Sequence, residues 1–169
     1  MNSFISGRKF FITGGTGTLG KALVKRILHN DGQVVVYSRD EGKQALNFGQ
    51  NKDVKCIIGD VRDYSKLSVS IFREKPDIVI HTAALKRIDD MEIHPDECIK
   101  TNITGSENVA RACLENHIDK CILISTDKAC QPVNVYGSSK FIAERLFTNY
   151  DYNSNHTIFS SVRYGNVIC

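Results

Sequence analysis

The 169-residue sequence predicts an α/β fold, a doubly wound parallel sheet of about six strands with helices on both faces in three αβα layers. Three observations lead there. Short apolar runs alternate with helical patterns at close spacing. The runs are continuous rather than alternating, as strands covered on both faces are. A glycine-rich loop at residues 14–20 stands between the first run and the first helical pattern.

The elements follow in order. Residues 9–13 form the first strand, and Leu19, Ala22, Leu23, Ile27 and Leu28 mark one face of the first helix. Residues 33–37 and 54–58 are strands two and three. Asp63 is placed to cap a helix that carries Leu67, Ile71 and Phe72 inward to about residue 74. Residues 78–81 form strand four, followed by a loop over 83–93. Pro95 suits the first turn of a long helix running to about residue 116, with Gly105 its weak point or a place of close packing. Residues 120–124 form strand five, a helix carrying Tyr136 and Lys140 runs to about residue 150, and residues 157–162 form strand six. No linker, repeat or low-complexity tract interrupts this pattern, so residues 1–169 read as one domain.

Composition narrows the function classes. A formal charge of +3 without a basic cluster argues against a nucleic-acid partner. No apolar stretch is long enough to span a bilayer, and the N-terminal apolar run is too short for a signal peptide, so the cytoplasm is the expected compartment. The six cysteines form no CxxC pair, which fits buried free thiols better than a zinc site or disulfides, and no metal is expected.

Gly14, Gly17 and Gly20, with Thr16, Thr18 and Leu19 between them, read as a dinucleotide cradle: a tight turn, a close backbone approach to pyrophosphate, and a helix N-terminus for its charge. The end of strand two carries Ser38 and Arg39, with Lys43 a turn later, where an NAD site places a carboxylate. A guanidinium and a hydroxyl suit a 2′-phosphate, so NADP is favoured over NAD; solvated charges are the plainer alternative. Asp60, followed by Val61, is placed either to accept from an adenine amino group or to cap a turn.

Tyr136 and Lys140 stand i, i+4 on one helix face. A nearby ammonium and the positive nicotinamide ring favour phenolate, so Tyr136 can take a hydroxyl proton while hydride leaves the same carbon for the cofactor. Thr126, Asp127 and Lys128 add proton-handling groups just past strand five.

These motifs, with Asn102 and Arg163-Tyr164-Gly165-Asn166, resemble the extended short-chain dehydrogenase/reductases. More narrowly, residues 37–40, 59–63, 83–86, 100–102, 125–129 and 162–166 resemble the C5-inverting UDP-N-acetylglucosamine 4,6-dehydratases, with Asp127-Lys128 where ordinary sugar-nucleotide dehydratases carry Asp-Glu. The resemblance implies a UDP-sugar substrate, Asp127 as acid, Lys128 as C5 base and Thr126 as donor to the C4 oxygen. It implies cofactor contacts from Val61, Ala83, Ala84, Lys86 and Asn102, and substrate contacts from Lys86, Arg163 and Asn166. Self-association rests on it alone. Arg87 and Asp89 depart from the usual His and Pro. Family members carry a further C-terminal substrate domain that this chain lacks, which leaves a truncated, non-catalytic nucleotide-binding module, or another epimerase or reductase, as the alternatives.

Overall fold

The computed structural model describes residues 4–165. Six strands, β1 (Lys9–Thr13), β2 (Gln33–Ser38), β3 (Val54–Ile58), β4 (Ile78–His81), β5 (Lys120–Thr126) and β6 (Ile158–Tyr164), form one sheet in the order β3-β2-β1-β4-β5-β6, every pair parallel. β5 and β6 each run two residues past their predicted ends, so Ser125, Thr126, Arg163 and Tyr164 are paired strand residues.

Alternate residues of the strands feed two separate cores. Phe11, Val35, Tyr37, Val79, Cys121, Leu123 and Phe159 pack on one face against α3 (Tyr64–Glu74), α6 (Gly105–Glu115) and α7 (Val135–Tyr152), through Leu67, Ile71, Cys113 and Phe147. Phe10, Ile12, Val34, Val36, Val54 and Ile80 pack on the other against Val24 and Ile27 of α1 (Thr18–His29) and Phe48 of α2 (Glu41–Phe48). Both faces bury apolar side chains, which is why the strands read as unbroken apolar runs. β6 is an edge strand with Ile158, Val162 and Tyr164 exposed.

The expected loop over 83–93 contains a short helix, α4 (Ile88–Ile93), and the expected single helix from Pro95 is three pieces: α5 (Pro95–Cys98), a π-helical turn (Ile99–Thr104) and α6. Pro95 does open α5. The π turn precedes Gly105, where a Cβ would lie 2.7 Å from Val61 Cγ2, so the close packing expected there is found. Asp63 caps α3 by accepting from Lys66 N at 3.0 Å. Cys98, Cys113 and Cys121 are buried free thiols, whereas Cys56 and Cys130 are exposed, so burial does not hold for the whole set; Cys169 lies outside the described residues. Among the described residues, no helix is long and apolar enough to cross a membrane.

Candidate active site

The chain leaves β1 to the left of the sheet through α1 and β2, and leaves β4 to the right through α5, α6 and β5. The loops at the C-terminal ends of β1 and β4 therefore diverge, and a doubly wound sheet binds ligands in the crevice so formed. A cavity of about 740 Å³ lies there. All the cofactor residues named from the sequence line it except Asn102, from the cradle at Gly14 to Tyr136 and Lys140 on α7.

The cradle is built by close backbone approach. Gly14 has φ +70°, and a Cβ on it would lie 2.7 Å from both Cα and N of Ala83. Its N–H donates to Tyr37 O at 2.8 Å. α1 then starts without a side-chain cap at Gly17, leaving first-turn N–H groups to whatever occupies the cavity.

At the end of β2, Ser38, Arg39 and Lys43 line the cavity. The Asp40 carboxylate accepts from Lys43 N at 2.9 Å as the N-cap of α2, and these bonds with Lys43 hold its carboxyl below the usual range. Of the two roles left open by the sequence, Asp60 shows the turn: its carboxylate accepts from Arg62 N and Nε, each at 2.9 Å, with Arg39 Nη1 3.7 Å away, while the residue also lines the cavity. Burial pushes the Asp60 carboxyl up, but its bonds to Arg62 outweigh that and hold it low.

Across the cavity, Asn134 caps α7 through Gly137 N at 2.7 Å, a signal absent from the sequence reading, and α7 delivers Tyr136 and Lys140. Lys140 is 2 % exposed, and burial lowers its ammonium to about 8 against the opposing pull of Glu144. Burial raises the Tyr136 phenol above the ordinary value and outweighs the hydrogen bond with Thr126, so the cofactor-free chain does not hold a phenolate. Thr126 donates to Asp127 Oδ1 at 2.9 Å, and Lys128 Nζ stands 3.2 Å from the same oxygen. These contacts keep Asp127 ionised; its carboxylate is exposed and outside the cavity lining, while Thr126 and Lys128 are within it.

Besides Asp127, two sequence-named residues stand outside the cavity lining. Asn102 accepts from Leu85 N at 2.8 Å and donates to Leu85 O at 2.9 Å and Ser139 Oγ at 3.0 Å, so it fastens the β4 loop to α7 behind the cavity. Arg163 is bound to Glu144 and not to the cavity. Asn166 lies outside the described residues.

Thr101, Ser125 and Tyr164 line the cavity without having been singled out for it. The Thr101 hydroxyl is buried without a protein partner, which fits a polar ligand atom; its neighbour Asn102 drew attention because its type is more telling than a threonine. His81 is fully buried between Thr13 Oγ1 (2.7 Å) and Ser106 Oγ (3.0 Å). Ser106 donates to Asn102 O, so it accepts from Nε2–H and Nδ1 accepts from Thr13. Burial, then the Lys140 charge, drive this imidazole down to about 3 and keep it neutral.

A glycine cradle at the strand-order switch, faced by a Tyr–Lys pair on the helix after β5, defines a Rossmann-type domain of the extended short-chain dehydrogenase/reductase class. Within it, the chain belongs to the polysaccharide biosynthesis protein family, which it matches over residues 10–169. It is 46% identical over 169 residues to an inverting UDP-N-acetylglucosamine 4,6-dehydratase of Campylobacter jejuni, covering 96% of this chain and 50% of that protein. A UDP-glucose 4-epimerase of Rickettsia bellii is 42% identical over 95% of this chain and 49% of its own. The crystal structure of Pen from Bacillus thuringiensis superposes with a TM-score of 0.93 at 37% identity, over 98% of this chain and 52% of that one. The chain spans about half the length of the curated relatives it matches.

Proposed function

We propose that the protein catalyses NADP-dependent 4,6-dehydration of UDP-N-acetylglucosamine with inversion at C5, giving a UDP-4-keto-6-deoxy-L-sugar for polysaccharide or glycan biosynthesis. The observation that carries this reading is the convergence of Thr126, Lys128, Tyr136 and Lys140 on the cavity that the glycine cradle closes. The sugar is supported by the name of the Campylobacter relative. The residues fit the cofactor: first-turn N–H groups of α1 face a pyrophosphate site, the Thr101 hydroxyl lacks a protein partner, and Arg39 and Lys43 stand at the ribose end.

NADP, when bound, would accept hydride from C4 and return it to C6. Thr126 donates to the C4 oxygen, and Tyr136, once its own phenol proton has passed to solvent with the Lys140 ammonium favouring the phenolate, takes the C4 hydroxyl proton. The resulting ketone makes the C5 proton acidic, and Lys128, at the cavity wall, removes it. Asp127 gives the proton that lets the C6 hydroxyl leave as water. As an ionised carboxylate it has no proton to give. Substrate binding must first break its contacts with Thr126 and Lys128 and move one proton onto it from the Lys128 ammonium 3.2 Å away, which also leaves Lys128 the free amine that the C5 step needs. A cytoplasmic setting accords with this substrate.

Incubation of the chain with NADP and UDP-N-acetylglucosamine in heavy water, followed by proton NMR, tests the reading. A C6 methyl signal with deuterium at C5 is expected; an unchanged sugar beside demonstrated NADP binding overturns it. The Rickettsia relative favours a second reading, 4-epimerisation, which needs Tyr136 and Lys140 but no base at C5. It would give the C4 epimer with its C6 hydroxyl and C5 proton intact.

A further inference from the structure

At the end of β2, Gln44 of α2 is 5 % exposed and reaches back under the strand. Three acceptors surround its Nε2, and its two hydrogens serve Ile57 O at 2.9 Å and, shared between them, Ser38 O at 3.0 Å and Ser38 Oγ at 2.9 Å. Two of these partners are main-chain carbonyls, which only accept, so the amide nitrogen and not its oxygen faces them. The Ser38 oxygen beside that nitrogen is then an acceptor, and its proton must point away from Gln44. No acceptor among the described residues takes that proton, and Ser38 lines the cavity.

The rest of this wall is of the same character. Arg39 and Lys43 bring cations to the cavity. The two nearby carboxylates are committed: Asp40 to the cap of α2 and to Lys43 Nζ at 3.2 Å, Asp60 to Arg62 and Arg39. A ribose diol brings hydroxyl protons that need acceptors, whereas a phosphomonoester dianion brings only acceptors. We propose that Gln44 is a specificity-determining positioning residue: by occupying the Ser38 oxygen from behind, it makes the Ser38 hydroxyl a fixed donor and tunes this end of the cavity to a ribose 2′-phosphate. The inference rests on the NADP reading and names the residue that enforces it from outside the cavity.

The adenosine halves of the two cofactors, 2′,5′-ADP and 5′-AMP, isolate the effect when titrated calorimetrically into the chain. The wild type is expected to bind 2′,5′-ADP at least about tenfold tighter. Ser38→Ala and Gln44→Leu should each cut that ratio by about tenfold while leaving 5′-AMP affinity within about twofold, and the double variant should do no worse than either single one. Ser38→Thr, which keeps the hydroxyl, should retain the preference. A wild-type ratio near one overturns the NADP reading and this proposal with it. A wild-type preference that survives Gln44→Leu, or a loss shared equally by both ligands, overturns the role of Gln44 alone and leaves it a staple between β2 and β3. Should Gln44→Leu not fold, Gln44→Met is read by the same ratio, and Ser38→Ala, which keeps both carbonyl bonds, must still lose the phosphate selectively.

Discussion

The Arg163 guanidinium grips the Glu144 carboxylate at two points, Nε to Oε1 at 2.9 Å and Nη2 to Oε2 at 2.6 Å. The same carboxylate accepts the Ser125 hydroxyl, so the ends of β5 and β6 are tied to α7 one turn beyond Lys140. Arg163 was expected to face the substrate; its fork is instead spent on aligning the strand that leads to Thr126.

Removing Arg163 leaves a mostly buried carboxylate with one neutral donor. Arg163→Ala should therefore lower the urea midpoint of unfolding, by less than the loss of a fully buried pair would because the guanidinium is exposed. Burial raises the Glu144 carboxyl, but Arg163 and then Ser125 outweigh it and the net shift is downward. The contribution is thus fully present above the unfolded value of ~4.3 and lost as pH falls through the lower folded value. Glu144→Gln should flatten this acid limb.

Lys140 works against stability. Its folded value of about 8 lies below that of a free lysine, so between about 8 and ~10.4 the unfolded chain binds the extra proton and stability rises with pH. Below that window the buried ammonium costs on the order of 3 kcal/mol. Lys140→Met should raise the melting temperature near pH 7, remove the alkaline rise, and abolish turnover. A melting temperature at or below wild type would contradict this.

Tyr136 is expected to titrate above a free tyrosine in the chain alone, because burial dominates its surroundings. Saturating NADP should lower it, and NADPH, whose nicotinamide is neutral, should not. The difference in tyrosinate absorbance between wild type and Tyr136→Phe, followed against pH with each cofactor, reads this without any turnover. Identical curves with the two cofactors would contradict it.

The parts legible in the sequence were those with a local chemical cause. Continuous apolar strands gave the sheet, and the spacing of Gly14, Gly17 and Gly20 between a strand and a helix gave the cradle, although only Gly20 is confined from within the loop, by Gly15, and Gly14 is confined by Ala83 of the β4 loop. What was hidden depends on tertiary partners. Asn102 and Arg163 carry polar groups suited to a ligand, yet Leu85 and Glu144 lie close enough to claim them. The π turn before Gly105 has no spacing signature, since its residues also read as helix. For Tyr136 the pair spacing conveys proximity of charge but nothing about desolvation, which raises the phenol in the chain without cofactor.

Gly137 couples the turn after β5 to the helix that carries Tyr136. A Cβ there would collide with the carbonyl oxygen of Lys128, in the 3₁₀ turn at Asp127–Ala129, and would crowd Asn134 Oδ1 at 3.2 Å. Both obstacles are fixed: one is backbone, and the other is the cap that accepts from Gly137 N. Gly137→Ala should therefore push the turn outward and cost about 1–3 kcal/mol, despite alanine's better helix propensity. The displaced residue is the proposed C5 base, while the cradle lies across the cavity. Deuterium incorporation at C5 should fall by at least about tenfold, with the Kd for NADP within about threefold of wild type. Urea unfolding, NMR exchange and calorimetry read the three quantities separately, and a Gly137→Ala chain as stable and as fast in exchange as wild type would show that α7 does not set the position of Lys128.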